Sequence, residues 1–207
     1  MINKDAGFMD EKIIELIREK EKELEQKSEE ERIRQGVQAG LVIINGEGIE
    51  FEEKSLLDDR IKMRLPKNFK VMSPEIASLK YPYEKKPYPI FTNETATKNI
   101  SFNYTDGGVS EKEIGGFRDS MRLVLERLQP SAVWLEDGIM ELNGKKLSFF
   151  EFISQALDAN LYNLMFFAEL DGKALICAVN CVEEEMEDWM PVARGMMSSF
   201  KVCGTVK

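Results

Sequence analysis

Histidine is absent from all 207 residues. That removes the Ser-His-Asp and Cys-His routes to an activated nucleophile, and every metal site built on imidazole. Cysteine is scarce. Cys177, Cys181 and Cys203 form an odd set without repeated spacing, so no disulfide framework is expected. Cys177 and Cys181 stand in an apolar run and read as buried thiols, with no further thiolate nearby to complete a zinc site. Neither a Gly-x-x-x-x-Gly-Lys phosphate loop nor a Gly-x-Gly-x-x-Gly fingerprint occurs. No catalytic residue, cofactor site or metal site is therefore assigned. No apolar run approaches the roughly 18 residues that span a bilayer, so no membrane insertion is expected. Met1-Ile2-Asn3-Lys4-Asp5 lacks the apolar stretch of a secretion signal, and the expected location is the cytoplasm. Basic charge is also short: 28 Lys and Arg stand against 37 Asp and Glu, a net charge of −9. An acidic surface repels phosphate backbones, so nucleic acid is not an expected partner.

What is present is a globular composition, with 43% apolar and 31% charged residues. The length suits one domain with an appendage. The expected division is a charged N-terminal helix over residues 1–40 and a domain over 41–207. Ile13, Ile14, Leu16, Ile17 and Leu24 give the helix an early apolar stripe that fades towards Ile33 and Val37. Glu23 with Lys27, and Glu30 with Arg34, are acid-before-base pairs one turn apart, and Gly36 and Gly40 end the helix. The plain expectation is a helix docked by its first half and solvated in its second. The sharper one is an arm for dimerisation or partner docking, because a helix polar on most faces is marginal alone.

Asn45-Gly46, Asn143-Gly144 and Asp171-Gly172 each separate apolar runs, which signals tight hairpins. Arg60–Leu65 and Asn99–Thr105 alternate polar with apolar, as half-buried strands do. Thr105-Asp106-Gly107-Gly108 reads as a turn. Ser110 and Glu113 form a capping box for a helix whose face is Ile114, Phe117, Met121, Val124, Leu125 and Leu128. A meander follows: Ala132–Leu142, Lys146–Ile153, Asn160–Leu170 and Lys173–Val182. The last two strands are apolar on both faces and belong in mid-sheet. A final helix is expected from about Asp188, with Pro191 in its first turn and Trp189, Val192, Ala193, Met196 and Phe200 on one face. The fold class is thus α+β, an antiparallel sheet flanked by helices.

Two stretches hold candidate chemistry. Glu183-Glu184-Glu185, Glu187 and Asp188 precede the last helix, where negative charge complements the helix dipole. Between residues 66 and 98, five of the seven prolines surround Tyr81, Tyr83 and Tyr88, interleaved with Lys80, Lys85 and Lys86. Tyrosines on a stiffened loop offer rigid amphipathic area, and these three are the candidate partner-binding residues.

Leu65-Pro66-Lys67-Asn68-Phe69, then Lys80-Tyr81-Pro82, Lys86-Pro87 and Tyr88-Pro89-Ile90-Phe91-Thr92-Asn93-Glu94 come in order. Asn99-Ile100-Ser101-Phe102, Tyr162-Asn163-Leu164-Met165-Phe166-Phe167, Ala178-Val179-Asn180-Cys181 and Trp189 follow. From about Phe51 to Val202 this order resembles the Mog1/PsbP-like fold family, and within it the bacterial DcrB-like domains. The resemblance implies an α/β/α sandwich. It also implies a non-catalytic role, since members include a Ran-GTPase-binding factor, a photosystem extrinsic subunit and chaperones of secreted effectors. It carries no catalytic residues across, and the charged first helix departs from it. The leading expectation is a protein-binding or adaptor protein, such as a chaperone for a secreted or membrane client. Two alternatives stand beside it: a small-molecule binder or carboxylate-based enzyme, and a structural homo-oligomer built through the first helix.

Overall fold

The computed structural model describes residues 4–81, 86–156 and 159–203. Four helices are α1 (Lys4–Ala39), α2 (Pro74–Lys80), α3 (Ile114–Leu128) and α4 (Met186–Ser198). The strands fall into two antiparallel sheets. The smaller has the order β1 (Leu41–Ile44), β2 (Glu47–Leu56), β3 (Ile61–Pro66) and β11 (Lys201–Val202). The larger runs β4 (Lys70–Val71), β5 (Ile90–Thr92), β6 (Lys98–Gly108), β10 (Lys173–Val182), β9 (Asn160–Leu170), β8 (Lys145–Gln155) and β7 (Val133–Leu142).

The three Asx-Gly pairs make the tight turns the sequence predicts. Asn45, Asn143 and Asp171 have φ of 50°, 51° and 53°, and the following glycines are also positive. β9 and β10 sit in mid-sheet, as their doubly apolar pattern requires. One face of the large sheet packs Ile100, Phe102, Leu164, Phe166, Cys177 and Val179 against α4 and the small sheet. The other face carries Phe150, Phe152 and Phe167 beneath Ile114 and Phe117 of α3. Its rings meet edge-on or tilted, with Phe150 and Phe167 centroids 5.2 Å apart.

Several expectations change. Thr105–Gly108 is not a turn; β6 continues through it because β10 supplies a partner as far as Lys173 opposite Gly108. A short helix, α2, interrupts the proline-rich stretch; Ser73 caps it and Pro74 takes its first position. The acidic run Glu183–Glu185 forms a 3₁₀ turn that leads straight into α4, so the helix starts at Met186 and Pro191 falls inside it rather than in its first turn. Phe200 lies beyond its end but still packs on Phe166. On α3 only Ile114 is fully buried; the helix lies over β8 and β9, Leu125 still packs on the sheet face, and Leu128 is 72% exposed.

The largest change concerns α1. Its second half docks, not its first. Ile33 and Val37 are buried against α4, whereas Ile14, Ile17 and Leu24 are 49%, 51% and 65% exposed. The cause is a close helix crossing. Gly195 on α4 meets Val37 so tightly that a Cβ there would lie 2.9 Å from Val37 Cγ2, and Gly36 is equally tight against the Leu41 carbonyl. Glu30 also departs from expectation. It pairs across to Arg194 at 3.2 Å rather than along its own helix to Arg34, which bonds Glu31 instead.

Candidate functional site

The tyrosines do not form one surface. Tyr81 follows α2 and packs over the large sheet beside Asn180, which it meets through its hydroxyl; burial pushes the hydroxyl's pKa up, and that hydrogen bond opposes the shift. Asn180 Oδ1 accepts from Asn99 Nδ2 at 2.9 Å, and Asn99 Oδ1 accepts from Thr92 at 2.7 Å. Tyr81 therefore closes a polar row that crosses β5, β6 and β10. Tyr88 is displayed, 77% exposed, with its backbone N–H donating to the Phe102 carbonyl. Tyr83 lies outside the described residues. Of the interleaved lysines, Lys80 reaches the Ala96 carbonyl and Lys86 the Ser78 hydroxyl, so both tie the segment to itself.

The acidic run before α4 is also tied down. Glu185 meets Lys98, whose ammonium also lies 5.4 Å from the Trp189 ring centre. Glu183 accepts from Asn160, and Asp188 accepts from Asn45 at 2.7 Å, fastening the first hairpin to α4. Among the described residues no group of His, Cys, Asp or Glu side chains has a metal-binding arrangement. A concavity of about 150 Å³ sits between α1, the β1–β2 turn and the start of α4, lined by Glu29, Arg32, Asn45 and Asp188 among others. It is smaller than the ~300 Å³ at which small-ligand pockets begin, whereas an open groove of about 530 Å³ lies between Glu31, Arg34 and Gln38 of α1 and Leu142 and Ser198.

A charged hub escaped the sequence reading. Arg194 of α4 grips Glu151 of β8 with two hydrogen bonds, Nε to Oε1 at 2.7 Å and Nη2 to Oε2 at 2.8 Å. It also holds Glu136 of β7 at 2.7 Å and Glu30 of α1. Glu151 is 0% exposed. Burial depresses the guanidinium pKa, but the carboxylates, Glu151 first, more than offset this and hold it above its ordinary value. The Tyr162 hydroxyl is buried nearby without a partner in hydrogen-bonding geometry; its pKa is raised by burial and by the Glu151 charge. One guanidinium thus ties two helices to two strands. The signal in the sequence was a lone charge in each of two apolar runs, Phe149-Phe150-Glu151-Phe152-Ile153 and Val192-Ala193-Arg194-Gly195-Met196.

Exposed apolar side chains occur on both α3 and β7, which meet through a few side chains. Arg122 spans the two, stacked 4.6 Å over the Trp134 ring and bonded to Asp137, and Arg118 donates to the Gly138 carbonyl. Gly115 at the start of α3 lies against Ile139. Leu123, Val124 and Leu128 of α3 and Val133, Leu135 and Ile139 of β7 are exposed; Ile139 lies on the α3 face of the sheet, whereas Val133, opposite Ile153, lies on the other face. Clustered exposed apolar groups mark interaction surfaces more often than scattered ones do.

No family model matches this sequence. No curated protein matches it. Solved structures do. Cyanobacterial PsbP from Synechocystis sp. PCC 6803 superimposes with a TM-score of 0.54 at 13% identity, covering 74% of this chain and 92% of that one. LpqN, involved in cell envelope biogenesis of Mycobacterium tuberculosis, superimposes with a TM-score of 0.50 at 9% identity, covering 74% and 91%. At such identities the likeness is one of fold. The chain has the Mog1/PsbP-like α+β fold that the sequence resemblance implied, with a long helix at its N-terminus.

Proposed function

We propose that this chain is a non-catalytic protein-binding module, an adaptor or client-holding chaperone, whose partner seats on the α3–β7 rim. The observation that supports the reading is the exposure of Leu123, Val124 and Leu128 on α3, with Ile139 of β7 exposed on the same face of the sheet. Four basic or acidic groups among them, Arg118, Arg122, Asp137 and Glu136, are already engaged with one another or with Arg194. With these four charges engaged, the surface suits an apolar client segment better than a charged ligand. Tyr88 extends the proposal as a further, aromatic contact on the sheet's other flank. Among the described residues no helix is long and apolar enough to cross a membrane, and a cytoplasmic site of action is part of the proposal.

The test is affinity capture from the native cell with the wild-type chain and with Leu123→Glu/Leu128→Glu. Both positions are exposed, so the variant keeps its fold and thermal midpoint. The expected result is one reproducible protein that the wild type retains and the variant loses. Capture of the same proteins by both chains, or of none by either, overturns the reading.

A further inference from the structure

From Ile14 to Glu29 every side chain of α1 is exposed, so half of a 36-residue helix projects without tertiary support. A solvated helix of that length is marginal in water unless something packs on it. Leu16, 63% exposed, lies to one side, but the other three exposed apolar residues share a face. Ile14, Ile17 and Leu24 stand three and seven residues apart, on one stripe. At about 100° per residue, Leu24 lies about 180° round the helix from Ile33, the residue docked on α4. The stripe therefore faces away from the chain's own domain, and a second helix can run its whole length without collision.

We infer that the occupant is the same arm of a second copy, laid antiparallel about a two-fold axis between Lys20 and Glu21. The charge pattern selects this partner and this direction. Parallel arms in register set every charge against its like. The antiparallel register brings Ile17 against Leu24 of the other arm and Lys20 against its Glu21, with the aliphatic stem of Lys27 over Ile14. The segment from Lys12 to Glu29 holds five basic and six acidic side chains, while the whole chain carries −9. With a net charge of −1, two arms meet with little repulsion. About 27 Å of helix pair is a small interface, so the dimer is weak and concentration-dependent. This inference does not rest on the α3–β7 surface.

Sedimentation equilibrium of the full chain at low salt, from dilute solution to the solubility limit, tests it. The expected mass climbs from one chain to two. Ile17→Glu/Leu24→Glu holds it at one chain, with native far-UV circular dichroism confirming that the helix persists. Lys20→Glu weakens association about tenfold, and adding Glu21→Lys in the same chain restores it, because the swapped pair faces itself again across the axis. A one-chain mass at every concentration overturns the inference. So does dimerisation that survives Ile17→Glu/Leu24→Glu, or a double charge swap that fails to rescue.

Discussion

Arg194→Met asks how much of the fold hangs on the guanidinium hub. The substitution keeps most of the side chain's volume and leaves Glu151, 0% exposed on β8, without a counter-charge. Removing one partner of a buried ion pair costs about 3–5 kcal/mol, chiefly the penalty of the stranded charge. The other two partners add little. Glu136 and Glu30 are 55% and 37% exposed, and solvent screening holds each such pair to about 1 kcal/mol or less. The sum stays near 4 kcal/mol, which for a chain of this length lowers Tm by about 8–16 °C. Urea unfolding followed by far-UV circular dichroism should show the midpoint falling with the slope unchanged. Arg194→Met/Glu151→Leu removes both charges and should recover most of the loss, since apolar replacements of buried pairs are often neutral or better. A single-variant loss below about 1 kcal/mol would refute the reasoning, as would a double variant no better than the single one.

Other perturbations read other contacts. Gly195→Ala forces a Cβ to 2.9 Å from Val37 and should cost about 1–3 kcal/mol and speed proteolysis of α1; Val37→Ala in the same chain should reverse both. Lys145 bonds Glu169 and holds its carboxyl below the ordinary 4.5. A depressed carboxylate adds stability above that pH, and loses it as pH falls through the folded value. Lys145→Met should therefore lower stability at pH 7 by up to about 1 kcal/mol and leave it unchanged at pH 2, which urea titrations at the two pH values check. Tyr81→Phe removes the contact with Asn180 and should cost about 0.5–1.5 kcal/mol in the same titration, whereas Tyr88→Ala should cost under about 0.5 kcal/mol. Burial pushes Cys177 and Cys181 up, the latter to about 12, so a thiol reagent at pH 8 should label Cys203 in the native chain and all three cysteines after denaturation.

The strands were legible because their signals are local. An Asx-Gly pair dictates its own backbone, and the run from Leu161 to Leu170 states by itself that both of its faces are covered. Turn and strand differ at Thr105–Gly108 for the opposite reason: only the presence of β10 alongside decides between them. The docked half of α1 was misread on the same ground. Apolar residues crowd the N-terminal part of α1 by composition, but Val37 meets Gly195 of α4 and Ile33 is buried beside it, whereas Ile14, Leu16, Ile17 and Leu24 are exposed. Arg194 and Glu151 lie 43 positions apart, so no local pattern joins them. The tyrosines divided because Asn180 sits under one and not under the other.

The sheet edges show which kind of partner the fold admits. An open edge invites strand addition, the commonest way for a sheet to take up an extended peptide. Here β4 and β11, at one edge of each sheet, are two residues long. β7, at the far edge of the large sheet, has a register shift between Trp134 and Asp137, and its Gly138 carbonyl is occupied by Arg118 at 3.0 Å. On β1 the Ile43 carbonyl is occupied by Arg32 at 3.2 Å. Among the described residues every sheet edge is thus short, irregular or capped by an arginine. These devices discourage main-chain pairing and leave side-chain surfaces as the available contacts. The rim beside α3 and the free stripe of α1 are two such surfaces, and both present apolar groups beside charges. A partner would be chosen there by shape and apolar area rather than by a shared hydrogen-bond ladder, which is why side-chain substitutions on those two surfaces separate the readings.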